Sequence, residues 1–122
     1  MQEWKLGEME ERFAELIWER EPVGSGELVT LCEEAFGWKK STTYTMLKRL
    51  CQRQLFENTR GVVKSLVSRE DFHAMQGQIF LDHSFGGSLP RFLTAFTRRN
   101  RLSREEVEAL QKLIDEYEEG SS

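Results

Sequence analysis

Trp38-Lys39-Lys40-Ser41-Thr42-Thr43-Tyr44-Thr45-Met46-Leu47-Lys48-Arg49-Leu50-Cys51-Gln52-Arg53 is the stretch whose reading decides the fold. Ser41 reads as a helix N-cap, because its hydroxyl can accept a bond from an unpaired N–H of the first turn. An advance of about 100° per residue puts Thr43, Leu47, Leu50 and Cys51 on one face. The opposite face gathers Thr42, Thr45, Lys48, Arg49 and Gln52, with Tyr44 and Arg53 at its rims. That face is cationic, begins with short side chains and holds no acid. It can approach a polyanion closely and offer donors to phosphates and base edges. A solvated helix surface has a similar composition, so this helix alone leaves both readings open.

The charge around it points one way. Residues 1–36 hold ten acids against three bases, and residues 105–122 hold seven acids against one base. Residues 37–64 reverse this, with seven bases (Lys39, Lys40, Lys48, Arg49, Arg53, Arg60, Lys64) and Glu57 alone as an acid. A net charge of −4 therefore hides a basic island. Binding to nucleic acid follows the local footprint rather than the total, so the island is compatible with DNA.

Upstream, Leu6, Met9, Phe13, Leu16 and Ile17 recur at helical spacing from about Gly7 to Arg20. Glu21-Pro22 ends that helix, because a residue before proline avoids the α region. Ser25 caps a second helix to about Phe36, with Leu28, Leu31, Cys32, Ala35 and Phe36 inward, and Gly37 breaks it. Two tightly joined helices, the second basic on its outer face, are the helix-turn-helix pattern. Downstream, Leu55-Phe56-Glu57-Asn58 and Val62–Val67 read as strands around a turn tipped by Arg60. Three helices and a basic hairpin make a winged helix, spanning residues 1–67.

Residues 68–122 read as three helices that form a dimerisation region. Phe72, Met75, Ile79, Phe80 and His83 stripe the first, and Leu89, Phe92, Leu93 and Phe96 the second. Arg98-Arg99-Asn100-Arg101 is a basic connection, open to phosphate or to solvent. Ser103-Arg104-Glu105-Glu106 is a capping box for a last helix with Val107, Leu110, Ile114 and Tyr117 along it, fraying from Glu118. About fifty residues bury such stripes poorly. A homodimer is the economical partner, with an interface of Phe72, Ile79, Phe80, Leu89, Phe92, Leu93, Phe96, Val107, Leu110 and Ile114. A two-fold dimer also matches a palindromic DNA site.

Other chemistries find no support. Cys32 and Cys51 lack metal or redox spacing and read as reduced core residues. His73 and His83 lie about 15 Å apart along one helix, too far to share a metal. Asp82-His83 has no nucleophile to serve, so neither catalysis nor a cofactor is expected. No apolar run approaches the ~20 residues of a spanning helix, and the first residues lack a signal-peptide core. A cytoplasmic protein is expected.

The chain resembles the penicillinase-repressor family of bacterial winged-helix regulators. The resemblance is carried by Leu16-Ile17-Trp18-Glu19, Glu21-Pro22-Val23, Trp38 through Leu50, Leu66 through Glu70, Phe85-Gly86-Gly87-Ser88 and Leu102 through Val107. It implies a homodimeric repressor of an antibiotic-response or similar stress operon. By position it makes Ser41, Thr42, Thr43, Tyr44, Lys48 and Arg49 the recognition helix; Lys39, Lys40, Thr45 and the hairpin-tip Arg60 complete the expected DNA-contact set. It also implies inactivation by a membrane-bound sensor protease that cuts an Asn-Phe bond. The corresponding pair here is Ala95-Phe96, with the Phe kept and the Asn replaced. A ligand in a dimer cleft between Phe80, Phe85 and Phe92 is the other route to release. The wing lacks the aromatic pair of the family, and the chain ends without the cysteines of its copper-responsive branch. The rival class is a winged-helix protein-interaction module without DNA binding, which the seven-to-one basic balance disfavours.

Overall fold

The computed structural model describes residues 6–121, beginning with helix α1 (Glu8–Arg20). Glu10 folds back to accept a 3.0 Å bond from the Gly7 N–H. Together with Glu8 and Glu11 it places acid in the first turn, where the helix dipole favours it. The helix stops at Glu21, whose backbone turns extended before Pro22. Strand β1 (Val23–Gly24) leads directly into α2 (Ser25–Phe36). Gly37 closes α2 at φ 69°, a left-handed conformation that glycine adopts without a Cβ penalty. Then follow α3 (Lys40–Gln52), strands β2 (Phe56–Thr59) and β3 (Val62–Ser65), and helices α4 (Arg69–Phe85), α5 (Leu89–Arg99) and α6 (Arg104–Ser121). This is the expected mainly α architecture with a small hairpin.

The strands form an antiparallel sheet ordered β1-β3-β2, with Val23 opposite Val63 and Phe56 opposite Ser65. Phe13, Ile17, Leu28, Leu50, Leu55, Phe56 and Val63 lie fully buried between helices and sheet. Trp18 joins them, its ring 5.3 Å from Phe56 and 5.5 Å from Phe72, while its Nε1 donates to the Val67 carbonyl at 3.0 Å. It is a packing residue.

Several boundaries differ from expectation. Helix α3 begins at Lys40 with Lys39 at the cap position, so Ser41 sits inside the first turn instead of capping it. Ser25 likewise is the first residue of α2. Ala35 is exposed, and α6 stays helical to Ser121. The largest difference is Phe72. Expected on the dimer stripe, it is fully buried in the winged-helix core against Trp18. Arg69 and His73 beside it reach Glu15 of α1 at 2.9 and 3.3 Å. The first turns of α4 thus belong to the winged helix, and the first compact unit runs to Gln78, past the expected boundary at 67.

The second unit, from Ile79 onward, is built differently. Phe80, Phe85 and Phe92 pack edge to face with centroids 5.5–5.9 Å apart, and Phe96 stacks on Phe92 at 5.6 Å. Such pairs favour offset or T-shaped geometry. Yet among the described residues none from Ile79 onward is buried. The capping box expected at the start of α6 is formed, with reciprocal 3.0 Å bonds between Ser103 and Glu106.

Candidate nucleic-acid interface

Helix α3 lies on the core through Thr43, Leu47 and Leu50, all at most 2 % exposed. Its other face is open along Ser41, Thr42, Tyr44, Thr45, Lys48, Arg49 and Gln52. Thr43 is the exception within the expected DNA-contact set: it points inward, so a base or phosphate cannot reach it. Its Oγ1 is buried without a well-formed hydrogen bond, the Cys32 thiol being a polar neighbour. Lys39 and Lys40 are exposed at the N-terminal end, where the first turn carries no acid. Free N–H groups and the positive dipole end make that position favourable for an anion.

Two shallow clefts run along this face. One, of about 230 Å³, is lined by Ser41, Thr42, Thr45, Met46 and Arg49. The other, of about 400 Å³, lies between α3 and the hairpin, lined by Tyr44, Leu47, Lys48, Cys51 and Asn58. Asn58 was not singled out from sequence. Only the strand register brings it to α3, and a turn-flanking Asn gives no sign of that. Arg49 is steered by Glu10 at 3.9 Å and by the Met46 sulfur at 3.8 Å. Lys48 makes no ion pair with another described residue. The Tyr44 hydroxyl donates to Ser25 Oγ at 3.4 Å, linking α3 to the start of α2.

The hairpin is placed by contacts at its base. Glu21 accepts from the Ser65 N–H at 2.7 Å and from the Ser65 hydroxyl at 3.0 Å. The Ser25 N–H donates to the Gly61 carbonyl at 2.8 Å. Thr59 pairs with Val62, leaving the two-residue loop Arg60-Gly61 with φ of 55° and 81°. Positive φ at both positions is the type I′ geometry that suits the twist of a hairpin. Arg60 is exposed at the tip, and Lys64 faces Glu57 across the strands at 3.8 Å.

Among the described residues no group of His, Cys, Asp and Glu is arranged to hold a metal. Burial pushes both the Cys32 and Cys51 thiols up in pKa, the nearby Glu57 adding to the effect at Cys51. Neither thiol is poised as a thiolate. No helix among the described residues is long and apolar enough to cross a membrane.

With this geometry in hand, the match to known proteins is decisive in its extent: the penicillinase repressor family aligns over residues 6–116. The chain belongs to the penicillinase repressor family. It is 20 % identical over 117 residues to a penicillinase repressor of Bacillus licheniformis, covering 93 % of this chain and 91 % of that one. A penicillinase repressor of Staphylococcus aureus is 19 % identical over 105 residues, with 83 % of each chain covered. The family is one of DNA-binding transcriptional repressors, and the α1–β3 region has the winged helix-turn-helix form that goes with it.

The remaining expected residues of the chain fall in the second unit. Phe80, Leu89, Phe96, Val107 and Ile114 are exposed, while Ile79, Phe92, Leu93 and Leu110 are half-buried. Ala95 and Phe96 lie inside helix α5, where the Thr94 and Thr97 hydroxyls donate to the carbonyls of Pro90 and Leu93 at 2.8 Å.

Proposed function

We propose that this chain acts as a homodimer that represses transcription by holding a palindromic operator, α3 entering the major groove and Arg60 resting on the adjacent backbone. The observation that carries the reading is the acid-free exposed face of α3, flanked by a cationic hairpin tip. Thr42, Thr45 and Asn58 are short enough to meet base edges, whereas Lys39, Lys40, Lys48 and Arg49 suit phosphates. Dimerisation is supported by α6, where Val107, Leu113, Ile114 and Tyr117 remain 50–75 % exposed along an otherwise polar helix. Such a stripe finds cover in a second copy, which also joins two half-sites and multiplies affinity through effective concentration.

Release follows from losing that coupling. A sensor protease cutting within Thr94–Thr97, at Ala95-Phe96, would separate α6 from the aromatic cluster. Because that bond lies inside a helix, α5 must open locally before it can be cut. The operon would be one that answers antibiotic or similar stress. Anisotropy titration on genomic fragments selected by the purified protein tests the core of this reading. Binding should fall steeply with salt, since each neutralised phosphate releases counterions. Salt-insensitive binding, or no enriched fragment at all, would leave the interaction-module reading in its place.

A further inference from the structure

The second unit contains a cleft of about 420 Å³ lined by Phe85, Pro90, Arg91, Thr94, Ala95 and Arg98. Arg91 and Arg98 are about 10 Å apart along α5, nearly two turns, with Thr94 on the same face between them. Arg91 is held in place. Its Nη1 donates to the Phe85 carbonyl at 3.2 Å, and its backbone N–H donates to Ser88 Oγ at 3.1 Å. A Cβ on Gly86, which sits at φ +60°, would lie 3.0 Å from that same Nη1. The guanidinium therefore occupies space that any other residue at position 86 would contest. A guanidinium has five donors, so the bond to Phe85 leaves most of them for a ligand.

The charge setting is unusual for so acidic a chain. From Ser84 to Arg104 there are five arginines, at 91, 98, 99, 101 and 104, and no acid. Arg98 and Arg99 stand in the last turn of α5, where the dipole welcomes cations. Arg91 stands in the first turn, where the dipole opposes one, so helix electrostatics do not account for it. The Thr94 hydroxyl is spent on the Pro90 carbonyl, leaving the arginines as the donors of the cleft.

We propose that this cleft binds a small anion bearing phosphate or carboxylate groups, held by Arg91 and Arg98 with its apolar part against Phe85 and Pro90. Planar forks of this kind match both groups bidentately. The proposal rests on this unit alone and stands whether or not the chain binds an operator.

Calorimetry on the full chain in about 0.15 M salt, where long-range attraction is screened, tests it with pyrophosphate and with citrate as probes. One saturable site with a dissociation constant on the order of 1 mM or tighter is expected for at least one probe. The probe that binds identifies the group preferred. Arg91→Gln and Arg98→Gln should each weaken binding about tenfold, while Arg104→Gln, outside the cleft, should not. Arg91→Lys keeps the charge and should still weaken binding several-fold, which a merely electrostatic patch would not show. No saturation with either probe overturns the proposal, and so does an equal loss in Arg104→Gln. Where neither probe binds, sedimentation gives the reason for that refutation: if Arg91→Gln dissociates an oligomer, the cleft serves an acidic segment of a second copy.

Discussion

Replacing Arg60 by Asn should move stability and DNA affinity in opposite directions. Arg60 has φ 55° at the hairpin tip, where an L-residue other than Asn, Asp or Gly is disfavoured by about 1–2 kcal/mol. Asn tolerates this region through local hydrogen bonds and should recover about 0.5–1 kcal/mol. In a unit of this size that corresponds to a rise in Tm of about 2–8 °C. On the proposed reading the same change also removes a cation from the operator backbone. One phosphate contact fewer per half-site should lower the salt slope of log K by about 0.9, hence about two for a dimer. Circular dichroism melting and anisotropy titrations between about 0.05 and 0.2 M salt read the two effects separately. An unchanged slope would refute the role of the tip. A lower Tm would refute the claim that the arginine is strained there.

Thr43→Val should leave operator affinity unchanged and stability unchanged or raised by about 1 kcal/mol, because it removes a buried hydroxyl without a well-formed bond; weaker DNA binding would place Thr43 at the interface after all. Lys48→Ala combined with Arg49→Ala should reduce affinity for all fragments and flatten the salt slope, whereas retained full affinity would remove α3 from the groove. Leu110→Glu, on the α6 stripe, should weaken the proposed dimer by several kcal/mol, as sedimentation at micromolar concentration would reveal. Thiol labelling at pH 8 should be slow at Cys32 and Cys51 in the folded protein and fast after denaturation, since raised pKa values keep the reactive thiolate scarce. Rapid native labelling of Cys32 would contradict its burial.

The sequence was most informative where one helix face meets one core. Thr43, Leu47 and Leu50 are buried as a 100° period requires, and Thr42, Thr45 and Lys48 are exposed. It was least informative about what a face packs against. The stripe on α4 is continuous, yet Phe72 packs on Trp18 while Phe80 joins Phe85 and Phe92. Periodicity assigns both to one side of a helix and cannot say that two units share it. Strand β1 escaped because two residues give no alternation to detect; only its register with β3 reveals it. Helix starts slipped by one residue at Ser25 and by two at Ser41, because neighbouring polar residues compete for the cap. Asn58 shows the same limit at the site, since a hairpin register and not a motif carries it toward α3.

The clamp of Glu21 on Ser65, with the Ser25–Gly61 bond beside it, gives the hairpin a fixed bearing. Ser25 also starts α2 and receives the Tyr44 hydroxyl of α3, so α3 and the hairpin share one anchor point. If α3 enters the major groove as proposed, the distance from groove edge to flanking phosphate is measured by the protein like a caliper set to one opening. A duplex that widens or narrows that span cannot be followed by swinging the hairpin alone. It must itself deform to fit, and sequences that deform easily would be selected at positions no side chain touches.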